Sequence, residues 1–150
     1  MEKSWETLYE KYPDFFEKVG CDPRESCMSF GVECGIGWYD LISALLYSIK
    51  QHEKHIKERN DWSDKEYGEP CEKFKDYVPV TLQQVKEKFG GLRFYYMGGD
   101  DHIAGLVDMA EEMSYKICER CGNPGKPSKT GWIITLCNKC WEERNAGTII

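Results

Sequence analysis

Cys118-Glu-Arg-Cys121 and Cys137-Asn-Lys-Cys140 are two Cys-x-x-Cys pairs separated by fifteen residues. That spacing is expected of a four-thiolate zinc site. Two cysteines three apart can turn both sulfurs toward one point, and a second such pair completes a tetrahedron. Gly122 permits the tight turn that aims the first pair. The run from Asn123 to Gly131 is rich in turn residues and too polar to hold a core alone. A bound metal contributes about 10 kcal/mol or more of folding free energy and would hold it. Four thiolates leave no position open for water, so one structural Zn2+ per chain is expected on Cys118, Cys121, Cys137 and Cys140. The alternatives for these thiols are a redox dithiol pair or two disulfides.

The other candidate chemistries are weaker. Cys21, Cys27, Cys34 and Cys71 match no zinc template and are expected as small buried apolar groups. A second metal site and a reactive or disulfide-forming thiol remain as alternatives. His52, His55 and His102 are expected on the surface. The sequence has no Gly-x-Ser-x-Gly, phosphate-binding loop or dinucleotide fingerprint. No carboxylate pair has a spacing that implies acid–base work, so no catalytic residue is identified.

A second constellation lies in Val80–Met97. Gly90-Gly91 between two β-like runs is a hairpin signal. With those glycines as the turn, Phe89 faces Leu92, Lys88 faces Arg93, Lys86 faces Tyr95 and Val85 faces Tyr96. One face then collects Val85, Phe89, Leu92, Phe94 and Tyr96, with Glu87 as the misfit. The other collects Gln84, Lys86, Lys88, Arg93 and Tyr95. Three cations and a phenol on one patch suit a phosphate, a carboxylate or an acidic partner. Neutralisation by acids of the same chain is the alternative.

The 150 residues are 41% apolar and 13% aromatic, enough for a core, and carry a net charge of −6. That charge disfavours nucleic acid, whose phosphates demand a basic surface. The segment from Cys118 to Gly147 has a small basic excess, five Lys or Arg against three Glu. The longest uncharged apolar run, Leu41–Ile49, is too short to span a membrane. The N-terminal residues carry no apolar signal region. Cysteines in metal spacing without such a signal point to a reducing cytoplasm.

The elements that must position these groups follow from periodicity. Trp5, Leu8, Tyr9 and Tyr12 predict a helix over about 4–18, capped by Ser4 and broken by Pro13. Residues 20–37 are expected to be irregular. Trp38, Leu41, Ile42, Leu45, Leu46 and Ile49 predict a helix over 38–59. Asn60–Pro79, dense in charge and turn residues, is expected to be a long mobile loop. After the hairpin, Asp100 or Asp101 caps a helix to about Ile117, burying Ile103, Leu106, Val107, Ala110 and Met113. Trp132–Leu136 reads as a short strand.

Three blocks together carry a resemblance: Gly31–Asp40, Gln84–Tyr96, and Ser114–Cys140 with its Cys-Glu-Arg-Cys-Gly-Asn-Pro-Gly. They resemble a group of small, largely uncharacterised proteins seen in bacteria, prophages and phages. The resemblance covers roughly the last four-fifths of the chain in broken blocks. It departs at Ile36, where an acid is usual, and in the charged stretch after the first helix block. The group implies no activity, but a mobile-element setting implies a counter-defence or host-takeover role.

The expected fold is α+β: helices on a small antiparallel sheet (hairpin about 80–97), as a core of 1–117 with a zinc ribbon of 118–150 packed on it. The leading function is a non-enzymatic binding protein of the cytoplasm that inhibits a host protein by docking on it. A binder of a small nucleotide-like phosphorylated ligand, held by Lys86, Lys88, Arg93 and Tyr95, comes second. A carboxylate-based enzyme is the third class. Nucleic acid is disfavoured and no membrane partner is expected.

Overall fold

Helix α2 (Tyr39–Tyr67) is the longest element of the computed structural model, which describes residues 2–129 and 131–147. Met1, Thr130 and the last three residues of the expected 118–150 segment lie outside the described residues. The α2 stripe Ile42, Leu45, Leu46 and Ile49 is buried, as its spacing predicts. The helix does not stop at Arg59. It runs through Asn60–Tyr67 to Gly68, whose left-handed backbone (φ 76°) returns its N–H to Asp64 O at 2.8 Å. Asp61, Asp64, Lys65 and Glu66 are exposed helix charges, and Asp61 pairs back along the axis with Lys57 at 2.7 Å. Once nucleated, a helix extends without an apolar stripe until a breaker arrives. The true connection, 68–80, is strapped to the helix. Asn60 accepts from Cys71 N and donates to Phe74 O, while Glu53 accepts from Tyr77 OH and Val80 N.

Upstream, α1 (Trp5–Lys11) has the expected cap: Ser4 Oγ accepts from Thr7 N. Pro13 opens a separate 3-10 turn, Pro13–Phe15, rather than a continuing helix. The 20–37 stretch, expected to be irregular, holds two more 3-10 turns (Cys27–Phe30 and Ile36–Trp38) and a short strand, β1 (Val32–Glu33). Val32 N donates to Tyr9 OH at 2.8 Å, fixing this strand to α1.

The sheet is mixed, not purely antiparallel: β1 pairs parallel with β2 (Thr81–Lys88), which pairs antiparallel with β3 (Gly91–Met97). An extra residue at Gln83 bulges β2. The bulge turns Leu82 onto the face of Val85 and Phe94, and all three are buried. Helix α3 (Asp101–Ser114) covers the outer edge of β3. Ser114 Oγ accepts from Leu92 N and Glu111 Oε2 from Phe94 N, so two N–H groups at that edge have side-chain partners. Asp100 caps α3, and Ile103, Val107 and Ala110 are buried as expected, but Met113 is exposed and Leu106 only half-buried. The result is an α+β core of α1, α2, α3 and the sheet, with a second small cluster around Cys118, Leu136 and Cys140.

The hairpin turn is Phe89-Gly90, not Gly90-Gly91. Lys88 pairs with Gly91, Glu87 with Leu92, Lys86 with Arg93 and Gln84 with Tyr95. Both turn residues have positive φ (53° and 82°), as a two-residue primed turn requires. Gly91 serves another need, because a Cβ there would sit 2.3 Å from the Tyr115 ring. Moving the turn by one residue shifts each cross-strand pair by two, so the faces keep their membership while partners change. Phe89 alone leaves its expected face for the exposed tip.

Trp38 is fully buried, and its Nε1 donates to Ile117 O at 2.9 Å. Trp38→Phe strands that carbonyl and opens a gap. A loss of about 1–3 kcal/mol in urea denaturation is expected.

Candidate metal centre and cationic cleft

The four-cysteine module is built from two turns facing each other. Cys118-Glu-Arg-Cys121 bends back through Gly122 (φ 83°), whose N–H donates to Cys118 O at 2.9 Å. Cys137 caps helix α4 (Asn138–Asn145), and its sulfur accepts from Cys140 N at 3.4 Å. Between them run β4 (Lys126–Pro127) and β5 (Thr135–Leu136), an antiparallel pair. The strand expected over 132–136 is confined to its last two residues. Trp132 lies outside it and is 75% exposed. Helix α4 itself was not legible, because its eight residues hold no apolar stripe.

The four sulfurs all lie within 4.8 Å of one another, with Cys121 and Cys137 at 3.6 Å. A metal held tetrahedrally by thiolates at about 2.3 Å sets its sulfurs about 3.8 Å apart. A disulfide needs about 2.05 Å, and all eight cysteines are free. The donor set therefore fits a structural metal. The thiols sit in different electrostatic environments. Burial pushes the Cys118 thiol up, yet backbone N–H groups of Cys137, Cys121 and Arg120 outweigh it and bring the group down to about 7. Burial and the neighbouring sulfurs push Cys140 the other way, to about 12. A cation at the centre would favour the thiolate form of all four.

The module is seated on the core through glycines. Gly37 N donates to Glu119 O at 2.7 Å, and Gly35 N to Glu119 Oε1 at 2.9 Å. A Cβ on Gly37 would meet Cys118 O at 2.2 Å, and one on Gly35 would meet Glu119 O at 2.3 Å. Burial pushes the Glu119 carboxyl above its ordinary range, with the Gly35 N–H opposing. The same module holds the hairpin turn, since the buried Thr135 hydroxyl donates to Gly90 O.

The remaining cysteines differ from one another. Cys34 packs against the core, and burial followed by Glu119 and Glu87 pushes its thiol far above the usual range. Cys21 and Cys71 are half-buried, and Cys27 is exposed, against the expectation for all four. The histidines also divide. His55 and His102 are exposed, but the His52 side chain is only 11% exposed. Its Nε2 lies 2.8 Å from Asp100 Oδ2, and its ring stacks on His102 at 4.1 Å. The pairing joins α2 to the cap of α3, a contact 48 residues long that no sequence spacing reveals.

Of the cationic face, Lys86, Lys88 and Tyr95 line one cleft of about 580 Å³, whose other wall is Pro23–Cys27. Arg93 does not line it. The guanidinium donates to Tyr115 OH at 3.1 Å and to Leu92 O at 3.0 Å, turned toward α3. The like-charge pair is Lys86 opposite Arg93, not Lys88 opposite Arg93. Among the described residues, neither Lys86 nor Lys88 forms an ion pair. No helix among the described residues is long and apolar enough to cross a membrane.

Comparison with known proteins finds no matching family model, no matching curated protein and no matching solved structure.

Two outcomes test this centre. Elemental analysis of purified chain should find one metal ion per chain, and Cys118→Ser or Cys140→Ser should lower that occupancy and the melting temperature together. Gly37→Ala should cost about 1–3 kcal/mol in denaturant titrations, because backbone rather than a mobile side chain must give way.

Proposed function

We propose that the chain is a zinc-stabilised, non-enzymatic protein that docks on another protein through its cationic hairpin face. Four thiolates in tetrahedral spacing are the usual ligand set of a structural zinc. The observation that carries the docking reading is the Lys86–Lys88 pair, without an ion-pair partner among the described residues, on the central strand of the sheet of an otherwise acidic chain. Glu33 is the register partner of Lys86 on β1, yet neither lysine is held in an ion pair, and free cations speed encounter with an acidic surface and fix its orientation. The resemblance to phage and prophage proteins supports a host protein as that partner, and inhibition of a defence function as the purpose. A reducing cytoplasm suits the free thiols.

One observation favours a second reading, a small phosphorylated ligand. The 23–27 segment converts an open hairpin face into a cleft, adding Arg24 and Ser26 to Lys86, Lys88 and Tyr95. Arg24 is committed to Asp22 at 2.7 Å, and Glu25 lines the same wall. Both reduce the cleft's attraction for a phosphate, so docking remains the preferred reading.

The two separate by experiment. A partner captured from lysate, identified and titrated as a pure protein, should bind the wild type. Lys86→Glu with Lys88→Glu should weaken that binding at least about tenfold, roughly 1.4 kcal/mol, without changing metal content. A nucleotide held in the cleft should instead raise the melting temperature by several degrees at about a hundred times its dissociation constant. Wild-type affinity in the charge-reversed chain, with no nucleotide shift, would overturn both readings.

A further inference from the structure

Beside the cationic cleft lies a second cavity of about 370 Å³, which Lys86 and Lys88 also line. Its apolar walls come from two separate parts of the chain: Phe89 from the hairpin tip, Trp132 and Ile133 from the four-cysteine module. Phe89 is 65% exposed, so neither large ring is there to fill the core. The backbone that carries both rings is nevertheless anchored. Thr135 holds Gly90 O, a Cβ on Gly90 would sit 3.0 Å from Ile133 Cγ2, and Ser128 Oγ donates to Trp132 O at 3.1 Å.

Phe89 is also the only non-glycine residue with positive φ among the described residues (53°). A bulky side chain is disfavoured there, and Asn-Gly is the preferred pair for such a turn. The fold therefore keeps a largely exposed aromatic at a backbone position that disfavours it. Strain of this kind in an exposed ring points outward, to something that the ring contacts.

We infer that Phe89 and Trp132 form a clamp for one large apolar side chain of an acidic peptide segment, with Lys86 and Lys88 pairing the flanking carboxylates. The inference rests on the docking reading and names the anchor and the partner's chemistry. Rigid aromatic anchors in a pocket, rimmed by charge, are the pattern of a binding hot spot. Lys88 Nζ lies 5.7 Å over the Phe89 ring, so the cation and the anchor are presented together. Glu87 also lines the cavity and accepts from Gly90 N at 3.0 Å, so the lining keeps a net charge of +1. An acidic peptide is favoured over single-stranded nucleic acid because two lysines on a chain of net charge −6 neutralise few phosphates.

The test uses the intact metal-loaded chain and a random-peptide library. Selected peptides are synthesised and titrated by fluorescence anisotropy beside an oligodeoxythymidylate. Expected are sequences with Asp or Glu around one large apolar residue, bound at least about tenfold more weakly by Trp132→Ala and by Phe89→Asn. Phe89→Asn should at the same time raise the melting temperature of the free chain, by about 2–4 °C, because it relieves the turn. A structural role for Phe89 would move that melt downward and overturn the clamp. Peptides without acidic bias, or tighter binding of the oligonucleotide, would overturn it too. Binding that survives both aromatic variants but fails with Lys86→Glu and Lys88→Glu defeats the clamp and leaves the docking reading standing. Binding that survives all of these variants defeats both.

Discussion

The backbone of Gly35–Gly37 lies directly against the backbone of Cys118–Glu119, and the rest of the architecture depends on that seam. Three hydrogen bonds cross it, from Gly35 N, Gly37 N and Trp38 Nε1. The first of the two cysteine turns is one side of the contact, so its shape is a condition for the seam. A metal that organises Cys118 and Cys121 therefore organises the surface on which the start of α2 rests. A metal held by the four cysteines would be coupled to core packing through a few ångströms of backbone. That is why side chains are excluded at both glycines.

The same module reaches the hairpin. Glu119 N donates to Thr135 O at 3.0 Å, and Thr135 in turn holds Gly90 O. The path from the cysteines to the turn is thus a short chain of hydrogen bonds through one buried threonine. It places the Phe89 tip, and with it Lys88, at a defined distance from the module's own exposed tryptophan. A two-stranded ribbon is marginal alone. Here β1, α3 and the metal module each fix one side of it, and the cationic face is presented by backbone that has little freedom to move.

At the other end, α2 projects a charged stretch that the returning 68–80 segment grips through Asn60 and Glu53. Those two polar side chains do what apolar contacts do elsewhere in the core. Each occupies two partners at once, so removing either would leave backbone or phenol groups unpaired. His52 plays a comparable part toward the cap of α3. Such polar straps have no periodicity and connect residues far apart in sequence.

Much of this protein was legible in its residues alone. The four cysteines declare their site by spacing, because a Cys-x-x-Cys turn aims two sulfurs within one local structure. The buried stripes of α2 and α3, the Ser4 and Asp100 caps and the two faces of the hairpin follow from periods of 3.6 and 2. What tertiary structure decided was everything set by contact between distant segments. The turn fell on Phe89-Gly90 because Tyr115 needs the space at Gly91. β1 became a strand only by pairing with β2, and Arg93 left the cationic cleft for Tyr115. Helix α2 outran its apolar stripe because no breaker comes before Gly68 and the returning 68–80 segment hydrogen-bonds to Glu53 and Asn60, a pattern that composition alone cannot separate from a loop. Local geometry is written in residue spacing. Which glycine makes a turn, and which cation faces solvent, is settled by neighbours that the spacing does not name.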